Sequence, residues 1–157
     1  MRNPIDRAYS DYNQDIRRDW QPNVSFEDAI SQENSHYKKM MSELKNDLIK
    51  HHNVNWKRKG YLTIGKYVIH LEKWIKLFGK EQIFFINTFD LENNLENTLK
   101  SLYEFLGVHY IQPQNLSKKN VGKYNKMLSS TRENLIEYYK EYNKQLEDML
   151  SLKFNWN

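Results

Sequence analysis

The stretch Arg2-Asn3-Pro4-Ile5-Asp6-Arg7-Ala8-Tyr9-Ser10 contains the signals that start the first helix of the chain. Asn3 is a typical N-cap residue, and Pro4 suits the first helical position because its φ is already helical and its missing N–H is not needed there. Apolar residues at helical spacing continue the pattern, which predicts a helix from about Pro4 to Arg18. Arg2 and Ser10 can both face an anion bound near the start of this helix, where the dipole and free amides favour negative charge.

Further helices are predicted downstream by caps, stops and apolar spacing. They cover a segment that starts at the acidic cap Ser25–Asp28 and carries apolar positions to Leu48, then about Ile64–Gly79, Leu95–Gly107 and Ser130–Leu150. Two polar, basic loops separate them, at His51–Gly60 and Pro113–Met127.

One good strand is predicted, at Gln82–Asn87, where a short apolar run shows no alternation. Such a run is typical of a strand buried on both faces. A lone strand leaves two unpaired edges, so its backbone needs neighbouring strands. We therefore expect the remaining strands to come from sequence outside this chain or from another chain.

Composition and charge bound the class of protein. The chain has 157 residues, 39% of them hydrophobic, which predicts one compact domain spanning residues 1–157. Its formal net charge of +4 fits an anionic ligand as well as an ordinary solvated surface. Cysteine is absent, which excludes disulfides and thiolate metal sites, and His36, His51 and His52 lack partners at zinc-ligand spacing. The sequence contains no signal core and no apolar stretch of membrane-spanning length, so we expect a cytoplasmic chain with no bound metal.

The opening stretch resembles the Arg-Asn-Pro-x-x-Arg-x-x-Ser segment of sulfotransferases that use 3′-phosphoadenosine 5′-phosphosulfate (PAPS), particularly the heparan sulfate branch and its bacterial relatives. The resemblance implies that Arg2 and Ser10 hold the 3′-phosphate of the cofactor. It continues in order through Gly65–Trp74, Gln82–Ile86 and Tyr103–Val108. Leu71, Trp74 and Phe105 are predicted to be core, since aromatic residues at helical spacing usually pack. Tyr67 and His70 either line the acceptor cleft or have hydrogen-bonded structural roles.

A second cofactor element is predicted in the basic loop Ser117–Met127. Gly122 permits close backbone approach, the lysines neutralise phosphate and Tyr124 can stack on a purine. The loop is similar to the late loop of the family, which implies cofactor contacts from Lys119, Gly122, Lys123 and Tyr124. It departs from that pattern at Asn120 and Gly122, where relatives carry a further basic residue. The alternative is a solvated lysine loop.

The resemblance implies an α/β fold like that of P-loop nucleotide hydrolases, a parallel sheet flanked by helices, of which this chain is a mostly helical C-terminal part. It also implies transfer of a sulfuryl group from PAPS to a hydroxyl or amine of a glycan or small molecule, releasing adenosine 3′,5′-bisphosphate. The Gly-rich phosphosulfate loop and the catalytic base have no counterpart here, so we expect a missing N-terminal half and assign no catalytic residue. Gln14 stands where heparan N-sulfotransferases carry a His, which leaves the acceptor open.

Two other functions stay open at this stage. A basic helical domain without chemistry would bind nucleic acid or a partner protein with steep salt dependence, whereas a sulfotransferase has no nucleic-acid partner. A phosphotransferase fragment of the same nucleotide-binding superfamily would prefer a nucleotide with a free triphosphate.

Overall fold

The structure, a computed structural model, describes residues 1–20, 24–33, 35, 38, 60–117 and 122–156. Within these ranges the regular elements are helical. They are α1 (Pro4–Arg17), α2 (Phe26–Ser31), a 3₁₀ turn (Thr63–Gly65), α3 (Tyr67–Phe78), a second 3₁₀ turn (Lys80–Gln82), α4 (Thr88–Asn93), α5 (Leu95–Phe105) and α6 (Ser129–Leu150).

The predicted helix ends are confirmed where local chemistry sets them. The Asn3 side chain accepts a hydrogen bond from the Ile5 amide at 2.9 Å, and Ser25 accepts one from the Asp28 amide at 3.0 Å. Gly107, at φ 66°, follows α5 in the left-handed region that favours glycine. The continuation of the second predicted helix to Leu48 lies outside the described residues, as does most of the loop at 51–60.

A first core joins α1, α2 and the first half of α6. Its buried side chains include Ile5, Ala8, Phe26, Leu135 and Tyr139, of which Ala8 and Tyr139 have no exposed surface. The chain segment that leads into α3 runs through this core. Because that segment has no regular backbone pairing, its polar groups need side-chain partners.

Buried polar side chains supply those partners. The Glu33 carboxylate, 3% exposed, accepts hydrogen bonds from the amides of Leu62 at 2.7 Å and Thr63 at 2.6 Å. The Tyr139 hydroxyl donates to the Leu62 carbonyl at 2.8 Å, and the Arg7 guanidinium donates to the Tyr61 carbonyl. Burial raises the pKa of Tyr139, which keeps its hydroxyl protonated as a donor. The segment is thereby fixed against α1 and α6.

Helix α3 starts at Tyr67 instead of near Ile64, because the preceding residues form the 3₁₀ turn. Gly65 in that turn lies so close to α6 and α1 that a Cβ on it would be 2.6 Å from the Tyr139 hydroxyl and 3.0 Å from the Pro4 Cβ. Glycine is therefore required here for close approach of the backbone.

A second core lies between α3 and the second half of α6. Its buried residues are Val68, Leu146, Leu150 and Phe154. Phe154 belongs to the short tail after α6, which folds back over the end of that helix. The core therefore connects α3 to the C-terminal end of the chain.

The predicted strand is not confirmed. Ile83 and Asn87 have extended dihedrals, but this stretch has no paired strand among the described residues. Its first residues bond to the preceding turn, and among the described residues its long-range backbone contact is with Met1, whose amino group donates to the Ile86 carbonyl and whose carbonyl accepts from the Thr88 amide at 2.6 Å. This is the alternating pattern of a parallel pair, and it is confined to one residue. The apolar pattern identified an extended segment, whereas a strand also needs a partner.

The prediction that Trp74 and Phe105 are core is wrong for the described chain. Trp74 is 56% exposed and stacks on Phe78, while Phe105 is 40% exposed and packs against Phe84. Leu71 packs against the second core as expected. Helices α4 and α5 contribute no buried residue at all. No helix in the described ranges is long and apolar enough to cross a membrane.

Candidate functional site

The first three residues of the chain are each fixed by a different partner. The Met1 carbonyl accepts hydrogen bonds from the Thr88 amide at 2.6 Å and the Thr88 hydroxyl at 2.9 Å. The Tyr67 hydroxyl donates to the Arg2 carbonyl at 3.0 Å, and Asn3 caps α1. The Arg2 side chain is exposed. A fixed backbone therefore presents an exposed cation to solvent.

Arg2 lines a cleft of about 440 Å³ between α1, the loop before α6 and the start of α6, which we call the α1–α6 cleft. Its lining residues are Arg2, Asp6, Tyr9, Tyr124, Asn125, Lys126, Met127, Ser129 and Arg132. Three of these side chains are cationic and one is a carboxylate. The excess of positive charge suits an anionic ligand.

The α1–α6 cleft keeps a net positive charge after its ion pair is formed. Asp6 pairs with Arg132, which leaves the charges of Arg2 and Lys126. Helix α6 starts at Ser129 with no side-chain cap and no acidic residue in its first turn. The amides at this end of a long helix carry a partial positive charge and lie beside the cationic side chains.

The loop before α6 is held on α1 by aromatic contacts. The Tyr9 hydroxyl donates to the Asn125 carbonyl at 3.0 Å, and the rings of Tyr9 and Tyr124 meet edge to face at 5.6 Å. A Cβ on Gly122 would be 2.8 Å from the Tyr124 ring, so glycine lets the loop fold tightly over this side chain. Tyr124 keeps 42% exposure and can offer ring surface to a planar ligand.

The structure brings only part of the predicted cofactor set together. Arg2 and Tyr124 line the same cleft, and Gly122 supports Tyr124. Ser10 is half-buried on α1 and is not among the residues that line the cleft. Lys123 is exposed and precedes Tyr124, which lines the cleft. Lys119 lies outside the described residues.

The three predicted acceptor contacts have different partners within the protein. Gln14 lies beside Arg18, and its side-chain oxygen, in the orientation that satisfies both groups, accepts from the guanidinium at 3.0 Å. The His70 Nε2 is 3.3 Å from the Thr63 carbonyl. Tyr67 is engaged with Arg2. Each of them has a protein partner.

A second cleft, of about 570 Å³, opens on the other side of Arg2. It lies between the start of α1, the start of α4 and the C-terminal tail, and contains the side chains of Thr88, Asp90, Lys153 and Trp156. Arg2 lines both clefts, and so does Asp6. In the part of the chain that the structure describes, no group of three or more His, Cys, Asp or Glu side chains is arranged to hold a metal ion.

Sequence reasoning missed Ser129 and Arg132, and it included Lys126 in the predicted basic loop without naming it as a cofactor contact. Arg132 stands in the first turn of α6 and reaches Asp6, which is 126 positions earlier in the chain. Such a contact has no local signature. The absence of acidic residues from the first turn of α6 was visible in the sequence and could have identified this helix end as a site for negative charge.

Comparison with known proteins gives the family. The family model described as "Sulfotransferase domain" matches residues 1–149. A membrane-associated sulfotransferase, kil1, of Dictyostelium discoideum is 30% identical over 97 residues, which are 62% of this chain and 21% of that protein. Carbohydrate sulfotransferase 15 of Nototodarus sloanii is 32% identical over 96 residues, 54% of this chain and 60% of the relative. The bifunctional heparan sulfate N-deacetylase/N-sulfotransferase 4 of Mus musculus is 28% identical over 112 residues, 57% of this chain and 13% of the relative. The chain thus spans less than two thirds of each of these relatives.

The fold is also similar to that of a solved sulfotransferase. The crystal structure of a sulfotransferase from Alicyclobacillus acidocaldarius superposes with a TM-score of 0.76 over 99% of this chain and 55% of that one, at 22% identity. The likeness shows that the packed helices are those of a sulfotransferase fold. The match of the family model over residues 1–149 establishes that the chain belongs to the sulfotransferase domain family.

Proposed function

We propose that this chain is the 3′-phosphate-binding part of a sulfotransferase that uses PAPS. The observation that supports this most directly is the position of Arg2. Tyr67 holds the Arg2 backbone, and Thr88 holds the backbone of the neighbouring residue, Met1. The Arg2 side chain lines a cleft that also contains Lys126 and Arg132. A guanidinium on a fixed backbone suits a phosphate because its donors form a planar fork.

The residues of the α1–α6 cleft fit a nucleotide with two anionic groups. Arg2, Lys126 and Arg132 supply charge, the uncapped start of α6 supplies amides, and Tyr124 offers an exposed ring for a purine. We include Ser10 as a contact to the 3′-phosphate from the next turn of α1. Gly122, Lys123 and Lys119 complete the proposed cofactor set from the basic loop.

PAPS supplies the sulfuryl group, which passes in line to a hydroxyl or amine and leaves adenosine 3′,5′-bisphosphate. In such a reaction the protein positions both substrates, neutralises charge and removes a proton from the acceptor. We assign this chain the first two tasks. The grip on the 5′-phosphosulfate and the catalytic base have no counterpart in the sequence, and we propose that residues 1–157 are one part of a larger sulfotransferase domain.

We propose a glycan or small molecule as the acceptor. Two of the relatives are named for carbohydrate or heparan sulfate substrates, which supports the glycan. Gln14, Tyr67 and His70 remain predictions as acceptor contacts.

The test is nucleotide selectivity in the complete gene product that contains these residues. Calorimetry should show tighter binding of adenosine 3′,5′-bisphosphate than of adenosine 5′-monophosphate. Replacing Arg2 with Ala should weaken binding of the bisphosphate by about 1.5–3 kcal/mol, the range for a hydrogen bond to a charged group, and leave the monophosphate unaffected. Ser10→Ala should weaken it less.

Lys140→Ala is the matched control, because Lys140 is exposed on α6 and pairs with Glu137 outside the cleft. It should leave both affinities unchanged. Equal affinity of Arg2→Ala and the natural protein for the bisphosphate would contradict the proposal. If rising salt lowered the affinity for every polyanion equally and no nucleotide were preferred, the result would favour the non-catalytic basic domain instead.

A further inference from the structure

We infer that Tyr67 and the C-terminal aromatic tail, Phe154 and Trp156, form a positioning device for Arg2. This inference rests on the proposed function, since it presumes that Arg2 holds the 3′-phosphate. The role assigned to Tyr67 is to fix the backbone from which Arg2 projects, and it is independent of any contact with the acceptor.

Tyr67 contacts the backbone of Arg2 directly. Tyr67 is the first residue of α3, and its hydroxyl donates to the Arg2 carbonyl at 3.0 Å. Burial raises the pKa of Tyr67, so the phenol keeps its proton and stays a donor. The side chain of Arg2 extends into the two clefts from this point. Fixing the carbonyl restricts the region that the guanidinium can occupy.

The ring of Tyr67 is supported by aromatic residues of the C-terminal tail. Its ring packs against Trp156, with centroids 5.9 Å apart, and Trp156 stacks on Phe154 at 4.3 Å and 15°. Phe154 is 9% exposed and sits in the second core with Val68 and Leu146. The ring of Tyr67 is thus supported by a stack anchored in that core, which restricts the direction of its hydroxyl.

The C-terminal tail is attached to α6. Glu147 on α6 accepts a hydrogen bond from the Phe154 amide at 2.9 Å and from the Lys153 ammonium at 2.8 Å. One carboxylate therefore holds the tail at both its backbone and a side chain. The line of contacts runs from α6 through the tail to Tyr67 and then to Arg2, so residues at the end of the chain set the position of a residue at its start.

The experiment measures the ratio of affinities for adenosine 3′,5′-bisphosphate and adenosine 5′-monophosphate in the complete gene product. Tyr67→Phe keeps the ring and removes only the hydroxyl. We expect the ratio to fall by about two- to tenfold, the effect of one hydrogen bond, with unchanged binding of the monophosphate. Trp156→Ala should lower the ratio as well, and Trp156→Phe should restore most of it.

Tyr142→Phe is the matched control, because Tyr142 packs against the same core but faces Lys66 instead of Arg2. It should leave the ratio unchanged. In an Arg2→Ala background, Tyr67→Phe should have no further effect on the ratio, since the group it positions is gone.

The outcomes separate the two proposals. A ratio unaffected by Arg2→Ala, or no preference for the bisphosphate in the natural protein, overturns the proposed function. A ratio that responds to Arg2→Ala but not to Tyr67→Phe overturns the positioning role alone. Equal weakening of both nucleotides by Tyr67→Phe assigns it a merely structural role, and a change confined to the KM of the acceptor assigns it to the acceptor cleft. Either result also overturns the inference.

Discussion

The helices α1 and α6 and the helices α3 to α5 use the same kinds of side chain with opposite results. Between α1 and α6, Ile5, Leu135 and Tyr139 are at most 4% exposed. On α3 and directly after α5, Trp74, Leu77, Phe78 and Leu106 are between 54% and 76% exposed. Both regions are amphipathic helices. They differ in whether the described chain provides a surface that covers the apolar face.

The difference identifies what holds each region together. The first region combines apolar packing with buried polar contacts, in which Glu33 and Tyr139 satisfy the backbone of residues 62 and 63. In the second, α3 is attached to the second core by one face, which carries Tyr67, Val68, Leu71 and Ile75. Stability should therefore reside in the first region and in the seam between α3 and α6, and very little of it in α4 and α5.

The largest effect expected from this contrast is on catalysis. Residues 1–157 alone should transfer sulfate at a rate near background, because the proposed function assigns the grip on the phosphosulfate and the catalytic base to the rest of a larger domain. Each loss typically lowers the rate by about a hundredfold or more, so together they should cost at least about ten-thousandfold. The assay is transfer of labelled sulfate from PAPS to glycan and phenolic acceptors, after circular dichroism has shown that the chain is folded. Clear turnover would contradict this prediction, because it would show that helices α3 to α5 need no covering segment for sulfate transfer.

The next effect compares one substitution in the two regions. Leu146 is 1% exposed and Leu77 is 76% exposed, so Leu→Ala deletes the same atoms in opposite surroundings. We expect Leu146→Ala to lower the free energy of unfolding by about 2–5 kcal/mol through lost burial and a cavity, and Leu77→Ala to change it by less than about 0.5 kcal/mol. Urea denaturation of both variants measures the difference. Similar losses of unfolding free energy in the two variants would contradict the comparison, because they would show that Leu77 is covered in solution.

A smaller effect is expected at the close approach of the 3₁₀ turn to α6. Gly65→Ala should cost about 1–3 kcal/mol, since the added methyl group meets the Tyr139 hydroxyl at 2.6 Å. Gly60→Ala is the control, because its nearest neighbour would be Ile64 at an ordinary 3.5 Å. Thermal melts followed by circular dichroism compare the two. If Gly65→Ala melts like Gly60→Ala, the turn can move away from α6 and the first region is less rigid than its contacts indicate.

The smallest effect concerns pH. The hydrogen bond from Lys153, followed by that from the Phe154 amide, holds the pKa of Glu147 below its usual 4.5. A carboxylate with a lowered folded-state pKa stabilises the fold above its unfolded value and loses that contribution as the pH falls through the folded-state pKa. The tail should therefore loosen below about pH 4.5, as followed by hydrogen exchange of the Phe154 amide. In Glu147→Gln the same amide should lack this transition, and an identical pH profile in both proteins would exclude the carboxylate as the cause.

Features set by neighbouring residues were predictable from the sequence. Asn3 with Pro4, Ser25 and Gly107 each determine a helix end through local chemistry, and the structure confirms those ends within two residues. The motifs that contain Arg2 and Tyr124 are short, so both residues could be singled out from the sequence, and the structure places them in one cleft. These predictions needed no knowledge of how distant segments pack.

What failed depends on distant segments. The periodicity of α3 shows that Trp74 belongs to an apolar face, but it contains no information on what covers that face. The run at 82–87 is apolar and extended, yet pairing requires a second segment, and within the described ranges Met1 alone supplies a distant backbone partner. Arg132 joined the site through a contact with Asp6 across most of the chain. The partner of Tyr67 was likewise 65 positions away.

The stack of Trp156 on Phe154 and its contact with Tyr67 also have a consequence for the order of events in folding. Tyr67 lies 65 positions from Arg2 along the chain, and Trp156 lies further still, so the contacts that fix the Arg2 backbone are of very long sequence separation. Contacts of this kind form late in folding, because the intervening chain must be ordered first. We therefore expect the support for the Arg2 backbone to form after the helices that it connects.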